Sequence, residues 1–314
     1  MRLMYTRDNR FVRILTIALI ACFALVVVQQ VVIMIVGGRT AQAQSDLGSL
    51  QSQVADAQSQ NSQMQQQYDE KLIEWRNAQG RLSFLGDGSG KVAYLTFDDG
   101  PSKTLTQKNL DILKEKGAVA TWFCLANDQT YTYLDLSLCK TIEEQGNAVG
   151  IHDWDQNDSY SYYKGSVDDY FTTDFDKTKD KLEQAVGHEI KICRFAGGSP
   201  TIGYYNKANK TALPQEVIKR GCQYFDWNVL AGDSEPSQFV NGHTPTDRIV
   251  SNVLGEAKGF AETNSPICVL MHDNPGKETT TEALPQIIDG LKDLGYTFAT
   301  LDYDTPGFYQ LVIS

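Results

Sequence analysis

Residues 91–101 read KVAYLTFDDGP. Val92, Ala93, Tyr94, Leu95, Thr96 and Phe97 form an apolar, strand-like run that ends in two adjacent aspartates, Asp98 and Asp99. Gly100 and Pro101 then turn the backbone. A strand that carries paired carboxylates to its C-terminal edge places charge where open and barrel α/β folds keep their active sites. Neighbouring carboxylates repel, so both stay ionised cheaply only beside a cation or in different roles. Asp-Asp-Gly-Pro is also good turn chemistry on its own, so the reading needs support from the rest of the chain.

Downstream, strand-like and helix-like runs alternate. Helices are expected over 105–116, 134–145, 168–186, 214–220, 246–257 and 281–294. Strands are expected over 119–125, 148–151, 190–195, 224–229, 267–271 and 297–301. Repeated βα units imply a mainly parallel sheet, and roughly 220 residues can close a barrel with helices outside. The expected fold is α/β, a distorted (β/α) barrel of about seven parallel strands. His152, Arg194, Asp233 and His272 follow strand-like runs, as Asp98 and Asp99 do. A lone histidine after a strand is more often structural, but two of only four histidines stand at such ends.

Upstream, the composition changes twice. Residues 1–13 carry Arg2, Arg7, Arg10 and Arg13, and residues 14–36 hold no charged residue. That length matches a bilayer core, and basic residues before it place the N-terminus in the cytoplasm. Ala41-Gln42-Ala43 resembles a signal-peptide cleavage site, which would give a secreted chain, but the apolar run exceeds the usual h-region. An uncleaved anchor in the cell membrane, with the remainder outside, is the expectation.

Residues 37–90 then read as a Gln-rich stalk and linker before a domain at 91–314. Leu47, Val54, Asn61, Tyr68, Trp75 and Leu82 share one heptad position, and Leu50, Ala57, Met64, Lys71, Ala78 and Leu85 its companion. A parallel coiled coil would make residues 41–85 a homodimer contact, with Asn61 fixing the register. The alternative is a helical or flexible spacer.

The net charge of −11 and pI near 4.9 exclude nucleic acid as a partner, which would need a basic face. Fifteen tyrosines and four tryptophans suit a sugar-binding groove, although Tyr also fills cores. Six cysteines occur without a CxxC spacing, against a zinc finger or thioredoxin-type site. Cys124 with Cys139, or Cys193 with Cys222, would bridge in an oxidising compartment. Their apolar surroundings favour free buried thiols instead.

From Lys91 onward the chain resembles the polysaccharide deacetylases of carbohydrate esterase family four, the NodB-homology domain. The family's first motif, TFDDG, is matched at Thr96 to Gly100. The third looks like RFAGGS from Arg194, the fourth like FDWN from Phe225 followed by Asp233, and the fifth like VLMHD from Val269. Ala196 stands where proline is usual, and Ser234 where a tryptophan is usual.

The resemblance implies a metal-dependent, extracellular N-deacetylase of cell-wall polysaccharide, most naturally the N-acetylglucosamine of peptidoglycan. It makes Asp98 the general base, oriented by Arg194. It makes His272 the general acid, kept charged by Asp233. Asp99 and His152 become ligands of a divalent cation, zinc first, with cobalt or manganese as alternatives. A backbone N–H near Gly197 would hold the oxyanion, and Trp227 and Leu270 would wall the acetyl methyl. The second motif departs from the family: HDWDQ places Gln156 where a second ligating histidine is usual. An amide oxygen is a weaker zinc donor than imidazole. Gln156 would then ligate with reduced affinity, Asp153 or Asp155 would substitute, or the domain would be a degenerate deacetylase that only binds glycan or serves as a scaffold.

Overall fold

The computed structural model describes residues 15–31, 40–155 and 160–311. Contacts divide the chain into two units, Met1–Glu70 and Lys71–Ser314. In the first, residues 15–31 form a helix (α1) with Ile17, Ile20, Leu25 and Val28 exposed. Among the described residues no helix is long and apolar enough to cross a membrane. The expected span 14–36 and the cytoplasmic tail 1–13 extend outside the described residues. The helix α2 (Thr40–Leu85) is continuous, so the heptad positions do lie on one helix.

The second unit begins at Lys71, upstream of the boundary expected at Lys91. From there α2 buries Leu72, Ile73, Arg76, Asn77, Gly80 and Ser83, while the heptad residues Ala78, Leu82 and Leu85 stay exposed. Gly80 is required by contact: a Cβ there would lie 2.6 Å from the Tyr309 ring. Tyr309 donates its N–H to Gly80 O at 2.9 Å, and Arg76 donates to the Gln223 side chain and, at 3.1 Å, to Tyr303 O.

Eight strands follow: β1 (Val92–Gly100), β2 (Ala120–Cys124), β3 (Ala148–Ile151), β4 (Ile192–Cys193), β5 (Gln223–Tyr224), β6 (Val229–Leu230), β7 (Ile267–His272) and β8 (Thr297–Phe298). Their order is β5-β4-β3-β2-β1-β7-β6, with β8 added to β1, and the pairings are parallel. The seven-strand path is a half-barrel, in keeping with the expected class. Between the strands lie α3 (Thr106–Lys116), α4 (Ser137–Glu144), α5 (Val167–Tyr170), α6 (Asp176–Val186), α7 (Ser199–Tyr205), α8 (Asn209–Lys219), α9 (Thr246–Glu262) and α10 (Glu278–Asp293).

β1 is the central strand, between β2 and β7. Its last six residues are all buried, the mark of a parallel strand covered on both faces. Phe97 stacks on Trp122 of β2 at 4.8 Å.

Two sequence expectations are corrected. The helix expected over 168–186 is broken by a π-helical turn, Phe171–Phe175, between α5 and α6. That turn carries buried Asp174, which accepts the Trp154 N–H at 2.9 Å. The strand expected over 224–229 is two short strands, β5 and β6, at the two ends of the sheet. The four residues between them cross the open seam. There Tyr309 stacks on Tyr224 (3.9 Å, 6°), and Gln310 bonds Asp226 Oδ2 at 2.9 Å and Trp227 O at 3.0 Å. The cysteines are all free, five of them buried, so neither expected pair is bridged.

Candidate active site

Parallel strands bring their C-terminal ends to one edge, and the expected residues meet there. Asp98 and Asp99 end β1, His152 directly follows β3, Arg194 directly follows β4, and His272 ends β7. Asp98 lies in register with His272 across the β1–β7 pair. A cleft of about 350 Å³ is lined by Asp98, Asp99, His152, Gly197, Trp227, Asp233, Leu270 and His272, all expected from sequence. Arg194 sits beneath it, buried.

The backbone turns between the two aspartates, so neighbours on one strand both face the cleft. β1 has a register break between Asp98 and Gly100, and Asp99 adopts φ 68. A non-glycine residue in that region is strained and concentrates at functional sites. Asp98 Oδ1 accepts from Arg194 Nη1 at 2.8 Å. The guanidinium is otherwise held by Thr96 Oγ1 (2.6 Å), Phe225 O (3.2 Å) and Asp226 O (3.2 Å), with the Phe123 ring 4.3 Å from its carbon. Burial alone would lower its pKa, but the Asp98 charge outweighs that and raises it.

Asp99 Oδ1 lies 3.4 Å from His152 Nε2, and Asp98 Oδ2 lies 3.7 Å from the same nitrogen. His152 Nδ1 is 2.8 Å from Arg194 O, a carbonyl, so Nδ1 carries the proton and Nε2 faces the carboxylates. Burial by itself pulls the His152 pKa down, yet the charges of Asp153, Asp98 and Asp99 push it up to about 10. The surroundings therefore favour positive charge at that point.

Two ligands of one ion, each about 2.1 Å from it in tetrahedral geometry, lie about 3.4 Å apart. The Asp99–His152 pair, with the Arg194 carbonyl holding the far side of the imidazole, therefore suits a divalent cation. Among the described residues, no group of three or more His, Cys, Asp or Glu side chains is placed to hold an ion. Gln156, the third expected ligand, lies outside the described residues.

On the opposite wall, His272 Nδ1 bonds Asp233 Oδ1 at 2.8 Å, and the His272 N–H donates to Asp233 Oδ2 at 2.9 Å. Thr280 Oγ1 and Lys277 anchor the aspartate, through Oδ2 at 2.9 Å and its carbonyl at 2.7 Å. Burial depresses the His272 pKa, but the Asp233 charge and hydrogen bond overcome it and raise the value. Burial likewise pushes Asp233 up, and His272 reverses it, so its pKa is lowered. Nδ1 is engaged, which leaves Nε2 for the cleft.

Sequence reading passed over several residues. Asp226 is fully buried and accepts from Ser199 N at 2.7 Å and Ser199 Oγ at 2.6 Å, tying the loop after β4 to Arg194 through its own carbonyl. Its place in FDWN, directly after an apolar pair, was the available signal. Tyr160, Leu230, Ser234 and Glu235 also line the cleft. Ser234, where the resemblance led one to expect tryptophan, bonds His272 Nδ1 at 3.0 Å.

Residues 86–215 match the polysaccharide deacetylase family. A peptidoglycan-N-acetylglucosamine deacetylase of Bacillus cereus is 30% identical over 213 residues, 66% of this chain and 68% of that one. The catalytic domain of a peptidoglycan N-acetylglucosamine deacetylase from Eubacterium rectale superposes with a TM-score of 0.61 at 30% identity, covering 71% of this chain and 94% of that one. A carbohydrate esterase family four esterase of Streptococcus mutans superposes at 0.56 with 29% identity, covering 71% and 90%. With TFDDG at the end of the central strand and the aspartates and histidines converging on one cleft, the chain belongs to the polysaccharide deacetylase family, which is a family of hydrolases.

Proposed function

We propose that this chain hydrolyses the acetamido group of a cell-wall glycan, with the N-acetylglucosamine of peptidoglycan as its substrate. The observation that carries this reading is the division of labour around one cleft. Asp98 is paired with Arg194, Asp99 with His152, and His272 with Asp233. The relatives named above point to the same substrate.

Asp99 and His152 would hold a divalent cation, zinc first. When bound there, it supplies Lewis acidity that lowers the pKa of water and polarises the acetyl carbonyl. Asp98, fixed by its hydrogen bond from Arg194, accepts a proton from the water that attacks the acetyl carbon. Gly197 lines the cleft, and a backbone N–H there would hold the oxyanion charge as it develops. His272, protonated because Asp233 stabilises the imidazolium, donates from Nε2 to the departing nitrogen as the C–N bond breaks. The products are acetate and a free amine. Trp227 and Leu270 wall the space for the acetyl methyl.

The apolar run at 14–36, with arginines before it and few cations after it, supports an anchored protein whose domain lies outside the membrane. Acetate release from chitooligosaccharides and from peptidoglycan tests the reading. Release that a chelator abolishes and zinc restores is expected. Glycan binding without any acetate would instead establish a degenerate binding module.

A further inference from the structure

Beyond the catalytic groups, one wall of the cleft continues into a row of tyrosines. Tyr160 lines the cleft itself. Its ring lies 5.5 Å from that of Tyr205, which lies 5.1 Å from that of Tyr204. The row leads outward into solvent, where Tyr204 is 84% exposed. An aromatic ring that exposed contributes little to the core, and aromatics that are apolar on the face and polar at the tip serve binding surfaces.

The row is built on a rigid base. Tyr160 holds φ 62, a strained conformation for a side chain of that size. Its ring stacks parallel (4°) on that of Tyr163, which is fully buried and donates to Ala196 O at 3.2 Å. The segment after Tyr160 is clamped to the junction of α7 and α8 by two asparagines. Asn206 Nδ2 donates to Gly165 O at 3.1 Å, and Asn209 Nδ2 to Gly165 O at 2.8 Å and Tyr163 O at 3.1 Å. Packing and hydrogen bonds of this kind preorganise a site. The Lys164 ammonium, 5.6 Å from the Tyr205 centroid, adds hydrogen-bond donors at the edge.

We propose that Tyr160, Tyr205 and Tyr204 form a stacking platform for the sugar residues next to the one being deacetylated, so that the chain selects a run of glycan over a single unit. This rests on the deacetylase reading for the identity of the glycan. A pyranose presents a face of C–H bonds to an aromatic ring and its hydroxyls to the rim, which matches these tyrosines and Lys164. The row meets the cleft at Tyr160, so a linear β-linked chain bound in the cleft would run out onto its successive rings, which are turned 43° and 85° from one to the next.

The test uses the full chain, chitooligosaccharides from dimer to hexamer, and Tyr204→Ala and Tyr205→Ala. KM for the hexamer is expected to rise about tenfold in each, the loss of one aromatic contact, with kcat little changed. The loss should shrink as the oligomer shortens. Tyr205→Phe should behave as the parent, because stacking does not need the hydroxyl. Calorimetric titration of the hexamer into the Asp98→Asn background should give the same ranking without turnover. Equal losses on dimer and hexamer, or none on either, overturn the proposal. So does a change in oligomeric state on Tyr204→Ala with hexamer affinity unchanged, which would make the row a contact between copies. A parent chain that releases no acetate while Tyr204→Ala still weakens hexamer binding upholds the platform and defeats only the deacetylase reading.

Discussion

Replacing Asp233 with Asn should move the alkaline limit of activity toward acid. Asp233 and His272 meet at 2.8 Å with side-chain exposures of 1% and 15%, so solvent screens the pair little. A hydrogen bond to a charged partner contributes about 1.5–3 kcal/mol, and one pKa unit is about 1.4 kcal/mol. Removing the charge while keeping the shape should therefore lower the His272 pKa back toward the ordinary imidazole range. His272 works as an acid only while protonated, and its raised pKa extends that state to higher pH. The kcat/KM of the parent should fall as pH rises through that raised value. Asp233→Asn should fall at less alkaline pH than the parent, with a loss of about ten- to a hundredfold at mildly alkaline pH, the fold-change that about 1.5–3 kcal/mol corresponds to. At acid pH, where both forms hold the proton, the difference should shrink. Stability follows the same pair: the His272 share is complete below about pH 6.5 and lost as pH rises through its raised value, while the Asp233 share is present above about pH 4 and lost as pH falls through its lowered value. The assay is acetate release from chitohexaose from about pH 5 to about pH 10, beside thermal melts. A uniform drop in kcat with the alkaline limb unmoved would refute the acid role of His272.

Arg194→Lys keeps the charge but cannot reach Thr96, Asp98, Phe225 O and Asp226 O together; acetate release should fall on the order of a hundredfold, and rescue to the parent rate would remove Arg194 from its positioning role. A chain beginning at residue 91 loses buried Leu72 and Ile73, each contributing up to about 1.5–3 kcal/mol; its melting temperature should lie roughly 6–12 °C below that of a chain beginning at residue 71, and equal melts would show that the end of α2 is not part of the domain. Gly150→Ala puts a Cβ 2.6 Å from the Phe123 ring, which lies against Arg194; overpacking should destabilise by about 1–3 kcal/mol and lower activity in proportion, measurable by urea titration. Gln156→His adds an imidazole where the resemblance calls for one, so zinc affinity should rise at least tenfold, the scale of a lost metal contact; unchanged affinity in a metal titration would mean that other oxygens already complete the site.

The edge that carries the candidate site was legible because its residues follow strands. A strand of apolar residues that stops at a polar one marks its own C-terminal end, and parallel pairing gathers such ends whatever the loops do. Asp98, Asp99, His152 and His272 were readable for that reason. Asp226 and Tyr160 were not, because their positions depend on contacts across the sheet seam and between loops. The run from Tyr224 to Val229 is apolar and strand-like, and nothing local says that its two halves pair with opposite ends of the sheet. The end of α2 hid its role differently. Two stripes are drawn on that helix, and the heptad stripe through Ala78, Leu82 and Leu85 is the more apolar. The stripe that meets the domain contains Arg76 and Asn77, and the burial of Arg76 is offset by Gln223 and the Tyr303 carbonyl rather than by an oily face.

Two carboxylates on neighbouring residues serve one cleft without opposing each other because their neutralising partners arrive from different strands. Arg194, at the end of β4, reaches Asp98 beneath the cleft floor. His152, at the end of β3, stands over Asp99. The left-handed turn at Asp99 is what keeps the second carboxylate on the cleft side with the first. Were Asp99 in an ordinary extended conformation, strand alternation would send it to the opposite face of the sheet. The imidazole proton held up to about 10 has an electrostatic origin: three aspartates, Asp98, Asp99 and Asp153, crowd a single nitrogen. A proton satisfies that field with one positive charge. A divalent cation would satisfy it with two and also leave Lewis acidity facing the cleft, so binding it must displace the proton and grow tighter as pH rises.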